Sequence, residues 1–459
     1  MSHLPPESSV PLDAEVLNAI DAAVDELRDE RTEFLADLVR FRSVLGREAG
    51  VQRRMAGAFE DAGLEVDAWN VRYDDLKDLP GFSPVDWDDG ERPNVVGVHR
   101  VSRPAARSLI LNGHVDVVPA GPEELWTSPP YEPDVRGGRM YGRGAGDMKS
   151  GLAAYLYAYK ALRLAGFEPA SELILQSVIE EECTGNGALA TVQRGYRADA
   201  AIIPEPFDHT ILTEQLGVLW VRVKVHGRPT HVLEATAGAD AIRLAWQVTE
   251  ELRRLETEMN RDEARPQAYR DAAHPINVNV GRIEGGEWTS SVPAACTFDA
   301  RIGFFPGTSA AEARRIVERR IADFAAAHHV LRDDPPKLAW VGFQAEPYTI
   351  RADASPLREL AEVHRGVFGT RPRTLASTAT TDARILGLSG GIPTSCYGPE
   401  AASIHGVDES VDLESVHQVT RVLARFVASW CGLRRTPRTP RASSDTSSNT
   451  ADEPLGGAR

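Results

Sequence analysis

Three short apolar runs in this chain end in ionisable residues. LIL is followed by Asn112-Gly113-His114-Val115-Asp116, LILQSVI by Glu180, Glu181 and Glu182, and AAII by Pro204-Glu205-Pro206. In an open parallel sheet the carboxyl ends of the strands form the ligand crevice. The runs therefore predict one histidine and several carboxylates gathered at one edge, a donor set of the kind zinc accepts. Three adjacent glutamates at a buried strand end repel one another at considerable cost, and a cation relieves it. Singly, each piece is ordinary: a His-x-Asp pair is common on surfaces, a glutamate triplet usually sits on a solvated helix face, and Glu-Pro means little. Their co-occurrence at three strand ends carries the reading.

A glycine-rich stretch, Gly142-Arg143-Gly144-Ala145-Gly146-Asp147, offers two chemistries. As a dinucleotide loop it fails, because the third glycine of GxGxxG falls at Asp147 and no buried strand precedes it. An acidic residue on a glycine loop ahead of a helix suits metal ligation better.

The elements that must hold these residues alternate. An amphipathic run over about 13–42 reads as helix, with Leu17, Ile20, Val24, Leu27, Leu35 and Leu38 near helical spacing. NVVGVHR, RSLILNGH, ELILQSVI and DAAIIPE read as strands, with helices over 150–166 and in GALATVQRG. Such alternation predicts βαβ units around a largely parallel sheet. Near Leu216 the style changes. LGVLWVRVKVHG alternates over Leu219, Val221, Val223 and Val225, as a strand with one solvated face does. A helix (239–255), the strands INVNVGRIEGG and CTFDARIGFF, a helix (310–327) and the strand KLAWVGF complete a β-α-β-β-α-β order, that of the split βαβ fold. The α/β style returns near Gln344 and ends in a helix over 413–429. The fold class is α/β: a catalytic domain with a mixed, largely parallel sheet over 13–215 and 344–435, and an inserted α+β, ferredoxin-like lid over 216–343.

Composition excludes other classes. A chain of 459 residues is too long for one ordinary core. Its 51 Lys and Arg against 67 Asp and Glu leave a net charge of −16. That acid surplus argues against nucleic acid or an anionic membrane, because both need a basic face, so neither partner is expected. No run approaches the roughly 18 apolar residues of a membrane span. MSHLPPESSVPL lacks the charged and apolar regions of a secretory signal. Cys183, Cys296, Cys396 and Cys431 form no CxxC and no disulfide framework, so a reduced, cytoplasmic protein is expected. Residues 1–12 and the Ser-, Thr- and Pro-rich stretch 436–459 are expected to be disordered.

Separate blocks occur in a telling order: His114-Val-Asp116, then Gly142 to Gly151 (GRGAGDMKSG), then Glu180-Glu181-Glu182, then Glu205-Pro206. Together they resemble the M20 metallopeptidase and deacylase family, which includes acetylornithine deacetylase, succinyl-diaminopimelate desuccinylase, aminoacylase and carboxypeptidase G. The resemblance spans roughly 30–433. It implies a zinc-peptidase-like catalytic domain with two Zn2+ per subunit, for which Co2+ substitutes. Asp147 would bridge the ions, His114 and Glu205 would complete one, and Glu182 with His405 the other. Asp116 would fix the His114 tautomer through the second ring nitrogen. Glu181 would be the general base toward a water whose pKa two ions lower to about 7. His231, reaching across from a partner subunit's lid, would stabilise the oxyanion. Without the resemblance it reads as a surface histidine.

Two further positions carry weaker implications. Arg301 matches a lid arginine that clamps a substrate carboxylate, or it forms a salt bridge within the lid. Asp382, in STATTDAR, matches a block lining the pocket, or it caps a helix. The chain departs from many relatives at Ser290, where they carry Asn, and at Gly238-Ala239-Asp240-Ala241, where they carry Gly-x-Asn-Ala. Those departures leave the acyl group and the amine open. IEEECTGNG, GGEW and CYGP are similar to a branch that includes formylaminopyrimidine deformylases.

The expected activity is zinc-dependent removal of a small acyl group from an amino acid or amine, a small-molecule N-acyl substrate. The alternative is a dipeptidase or carboxypeptidase on the same scaffold. A non-catalytic binding protein is the remote third reading; its signature, a lost ligand or base, is missing. A homodimer through the lid is expected, with LGVLWVRVKVHG pairing across a two-fold axis.

Overall fold

The computed structural model describes residues 10–436. The stretches expected to be disordered fall mostly outside the described residues. Of their described parts, the Val10 amide donates to the Leu433 carbonyl at 2.9 Å and the Thr436 amide to the Gly166 carbonyl at 3.0 Å.

The body is built on a six-stranded sheet ordered Glu65–Asn70, Pro93–His99, Leu173–Val178, Leu109–His114, Ala200–Ile203, Thr394–Cys396. The last four strands are mutually parallel and Pro93–His99 runs against its neighbours, so the sheet is mixed. Leu109–His114, Leu173–Val178 and Ala200–Ile203 are buried at every position, as strands covered by helices on both faces must be. Register decides where chemistry collects. His114 lies opposite Val178, and Leu111 opposite Ile202. Residues 114, 180–182 and 205 therefore leave the sheet at one level.

The run predicted as one helix over 13–42 is two, Ala14–Glu26 and Arg28–Val39, broken at Leu27 with φ −89° and ψ 5°. Asp13 caps the first by accepting the Val16 amide at 3.0 Å. The helix Ser150–Leu164 is apolar almost all round, because it packs between the sheet and the helices Ala14–Glu26 and Leu413–Cys431.

The lid strands are ordered Val278–Gly285, Ala295–Phe304, Gly217–His226, Lys337–Ala345, all antiparallel. With helices Ala241–Met259 and Ala310–Ala327 they complete the β-α-β-β-α-β order. Val221, Val223 and Val225 pack under the helices with Leu244, Val248, Leu252, Val317 and Ile321. Trp220, Arg222 and Lys224 alternate to the other face. One expectation is corrected here. Gly217–His226 is an interior strand whose backbone is paired on both sides, so it cannot join a second copy edge to edge. The edge beyond Ala295–Phe304 belongs to Val278–Gly285.

Candidate metal centre

His114 ends its strand buried, with 1% of its surface exposed. Its Nδ1 donates to the carbonyl of Asp116 at 2.9 Å, which leaves Nε2 as the lone-pair nitrogen. Nε2 lies 3.3 Å from Asp147 Oδ1, 3.8 Å from Glu205 Oε1 and 3.8 Å from Glu181 Oε2. On the other side His405 Nε2 lies 2.9 Å from Glu182 Oε2 and 3.5 Å from Asp147 Oδ2. Two ligand sets result, His114–Asp147–Glu205 and Asp147–Glu182–His405, each with its donor atoms within 4.8 Å of one another. Asp147 is common to both and turns one oxygen to each.

The chain reaches these positions through unusual backbone. Gly144, two residues before the turn into Asp147, has φ 80°, and a Cβ there would stand 2.5 Å from Val117 Cγ1. Only glycine fits both requirements. Glu180 and His405 are left-handed without being glycine, at φ 64° and 62°, a conformation that a rigid setting has to hold. Asp116 meets His114 mainly through its backbone. Its carbonyl makes the close contact with the imidazole, while its carboxylate stands 3.6 Å from Nδ1 and accepts the amides of Glu181 (3.3 Å) and Glu182 (3.1 Å). It orients the glutamates as well as the histidine.

The glutamate triplet resolves unequally. Glu180 accepts hydrogen bonds from Arg92, Tyr73, Trp87 and Thr184. Arg92 also binds Glu48. The first acid is thus held by protein donors, while Glu182 joins a candidate ligand set and Glu181 keeps one oxygen unpartnered.

Among the described residues, His114 Nε2, Glu181 Oε1 and Glu205 Oε1 are buried with no hydrogen-bond partner. Buried polar groups seldom stay unpaired. Burial pushes Glu181 and Glu205 well above the usual carboxylate range, reinforced for Glu205 by Asp147 and for Glu181 by Glu205. Burial also opposes the charge on His405, but hydrogen bonds to Asp147 and Glu182 outweigh it and raise the imidazole to about 11. Asp147 is held low against its burial by the two histidines. An oxygen-rich site with two imidazoles, a shared carboxylate and orphaned inward atoms fits two divalent ions.

A cleft of about 500 Å3 opens over Glu181, Glu182 and His405. The lid contributes Trp220, Asn279, Arg301 and Phe343 to its wall, and the body contributes Trp87, Val118 and Thr380. Arg301 is half-buried there and donates to the Thr378 carbonyl at 3.3 Å; it forms no ion pair within the lid among the described residues. His231 is exposed, accepts the Leu233 amide on Nδ1 at 3.2 Å, and is not on the cleft wall. Asp382 is fully buried and also off the wall. Neither of its carboxylate oxygens accepts a hydrogen bond among the described residues, so the side chain is no helix cap, and burial raises it to about 6.

Sequence reasoning missed Glu409, which accepts the amides of Gly146 and Asp147, and its partner Arg143. The one available signal was an acid four residues after His405. It also missed Trp87 and Trp220, which no spacing rule singles out.

The profile of peptidase family M20/M25/M40 matches residues 110–429, which include all five candidate ligand residues. The chain belongs to peptidase family M20. Over 445 residues, 92% of this chain and 99% of the relative, it is 30% identical to N-formyl-4-amino-5-aminomethyl-2-methylpyrimidine deformylase of Halalkalibacterium halodurans. It is 29% identical over 410 residues to succinyl-diaminopimelate desuccinylase of Stenotrophomonas maltophilia, covering 85% of this chain and 96% of that one. Human carnosine dipeptidase 1 shares the fold, with a TM-score of 0.70 at 17% identity, over 93% of this chain and 100% of that one. As an M20 protein the chain is a metal-dependent hydrolase of linear amide C–N bonds. Among the described residues no helix is long and apolar enough to cross a membrane.

Proposed function

We propose that this M20 hydrolase is a deacylase that removes a formyl group from a small amine whose body is a planar ring, using two zinc ions. The observation that carries the two-ion reading is the sharing of Asp147 between two ligand sets beneath an apolar cleft. His114 and Glu205 would complete one ion, Glu182 and His405 the other, and cobalt would substitute. The ions supply Lewis-acid polarisation of the amide carbonyl and acidify water. Glu181, whose Oε1 is unpartnered, takes a proton from the attacking water and returns one to the nitrogen as the C–N bond breaks. The products are a carboxylic acid and an amine. Asp116 holds His114 and the backbone of Glu181 and Glu182 in place.

Support for the ring comes from the aromatic wall of Trp87, Trp220 and Phe343, which suits a flat apolar face. The deformylase likeness supports the small acyl group. Arg301 favours a second reading, a dipeptidase in which its guanidinium holds a free carboxylate. Asp382, buried and off the cleft wall, does not touch substrate in this reading.

A homodimer through the lid accords with the exposed apolar side chains Val232, Leu233, Ile242, Trp246 and Trp288 beside the edge strand Val278–Gly285. In such a dimer His231, which is off the wall of its own cleft, would serve the partner's. Four buried, unpaired cysteines accord with a reducing cytoplasm. Screening N-formyl, N-acetyl and N-succinyl amines and dipeptides with zinc or cobalt tests the reading. Deformylation of a ring-bearing amine at least tenfold above the rest is expected, and preference for a dipeptide overturns it.

A further inference from the structure

The two loops that carry ligands are tied together by a buried pair outside the ligand sets. Glu409 Oε1 accepts the backbone amides of Gly146 and of Asp147, each at 3.0 Å. Its Oε2 accepts Arg143 Nη1 at 2.5 Å. Arg143 Nη2 donates to the carbonyl of Gly406, next to His405, at 3.0 Å. The Glu409 carbonyl accepts the Gly142 amide at 2.9 Å. Both side chains are buried.

We infer that Glu409 and Arg143 are positioning residues that set the separation between Asp147 and His405, and so govern occupancy of the second metal position. A carboxylate that caps two consecutive amides fixes the plane of the Asp147 peptide. An arginine fork then transmits that position to the His405 loop, because its planar donors hold two acceptors in fixed relation. That loop needs an external hold: Ser403, His405 and Asp408 all adopt left-handed backbone, which non-glycine residues enter at a cost. The first position shares Asp147 but takes its other two donors from His114, at the end of a sheet strand, and Glu205, just past the end of another, so it leans on the brace less than the second. The inference rests on the two-ion reading.

Glu409→Gln keeps an acceptor for the two amides but turns an amide NH2 toward Arg143, so donor meets donor. Arg143→Lys keeps the charge but loses the fork to Gly406. Metal-free protein is titrated with Co2+ alone, following its visible ligand-field absorption. Wild type is expected to take up two equivalents. In E409Q the second should bind at least tenfold more weakly, with an altered spectrum, while the first, which keeps His114 and Glu205, weakens much less; R143K should fall between. If E409Q does not fold, Arg143→Met replaces it. Wild-type titrations in the variants, with lowered melting temperature alone, would show a merely stabilising pair and overturn the brace while leaving the two-ion centre standing. A wild type that binds fewer than two ions overturns the two-ion reading and the brace with it.

Discussion

Glu180 and Glu181 are neighbours in sequence with opposite surroundings: Glu180 is closed in by donors from four side chains, while Glu181 Oε1 has none. The left-handed backbone at Glu180, φ 64°, separates the two. One carboxylate is spent on holding the strand end, and the next is left free for chemistry.

Glu181→Gln should therefore lower kcat by about 10²–10⁴-fold, the usual loss of a general base, with metal content unchanged. Steady-state kinetics with metal analysis on the same preparation checks this. Retained turnover would remove Glu181 from the mechanism.

Arg92→Met strands Glu48 and Glu180 as buried acids without a cation. Breaking a buried pair from one side typically costs about 3–5 kcal/mol. Guanidinium unfolding should show a loss of that order. A loss below 1 kcal/mol would mean that Tyr73 and Thr184 alone suffice.

Stability should also fall with acid through groups far from the cleft. Burial lowers both His364 and His417 to about 4. Their unfolded pKa lies near 6.5, so the unfolded chain binds protons that the folded one refuses. Their contribution is full above about pH 6.5 and is lost progressively as pH drops toward 4. The slope is at most about 1.4 kcal/mol per pH unit for each histidine. Unfolding midpoints between pH 7 and 4.5 test it, and His364→Gln should flatten the curve.

Chelation should abolish activity and lower the melting temperature, and zinc or cobalt should restore both. An ion at 100 times its dissociation constant stabilises by about 2.7 kcal/mol. Full activity after exhaustive chelation would count against the metal centre.

If His231 acts in the partner's cleft, Glu181→Gln and His231→Ala subunits should complement. In an equal mixture half the dimers are mixed, and each has one site with both residues intact, so about a quarter of wild-type activity should return. No recovery in mixed dimers would leave His231 at the surface without a catalytic part.

Much of this was legible because the signals were local. Apolar runs marked the strands, and register alone carried His114, the glutamates and Glu205 to one level. Glu409 was not legible, because what it holds are amides 263 and 262 residues away that leave no mark on side-chain pattern. Arg92 and Glu180 stand 88 apart on elements that only the folded sheet brings together. The split of 13–42 into two helices was hidden because Leu27 fits either helix. The pairing edge of the lid was misread because alternation tells which face is buried, not which strand lies at the rim.

The lid enters by Gly217–His226 and leaves by Lys337–Ala345, and these two strands pair with each other. Just outside it, Tyr348–Thr349 pairs with Ile211–Gln215. Seen from the body, the whole insertion is the tip of a hairpin. Closing such a tip costs only about 0.6 kcal/mol for each doubling of its length. Chain entropy thus sets little limit on how long the lid grows or how it is rebuilt. The body can exchange the roof over its cleft, and with it the amines it admits, while the carboxylates below keep their register.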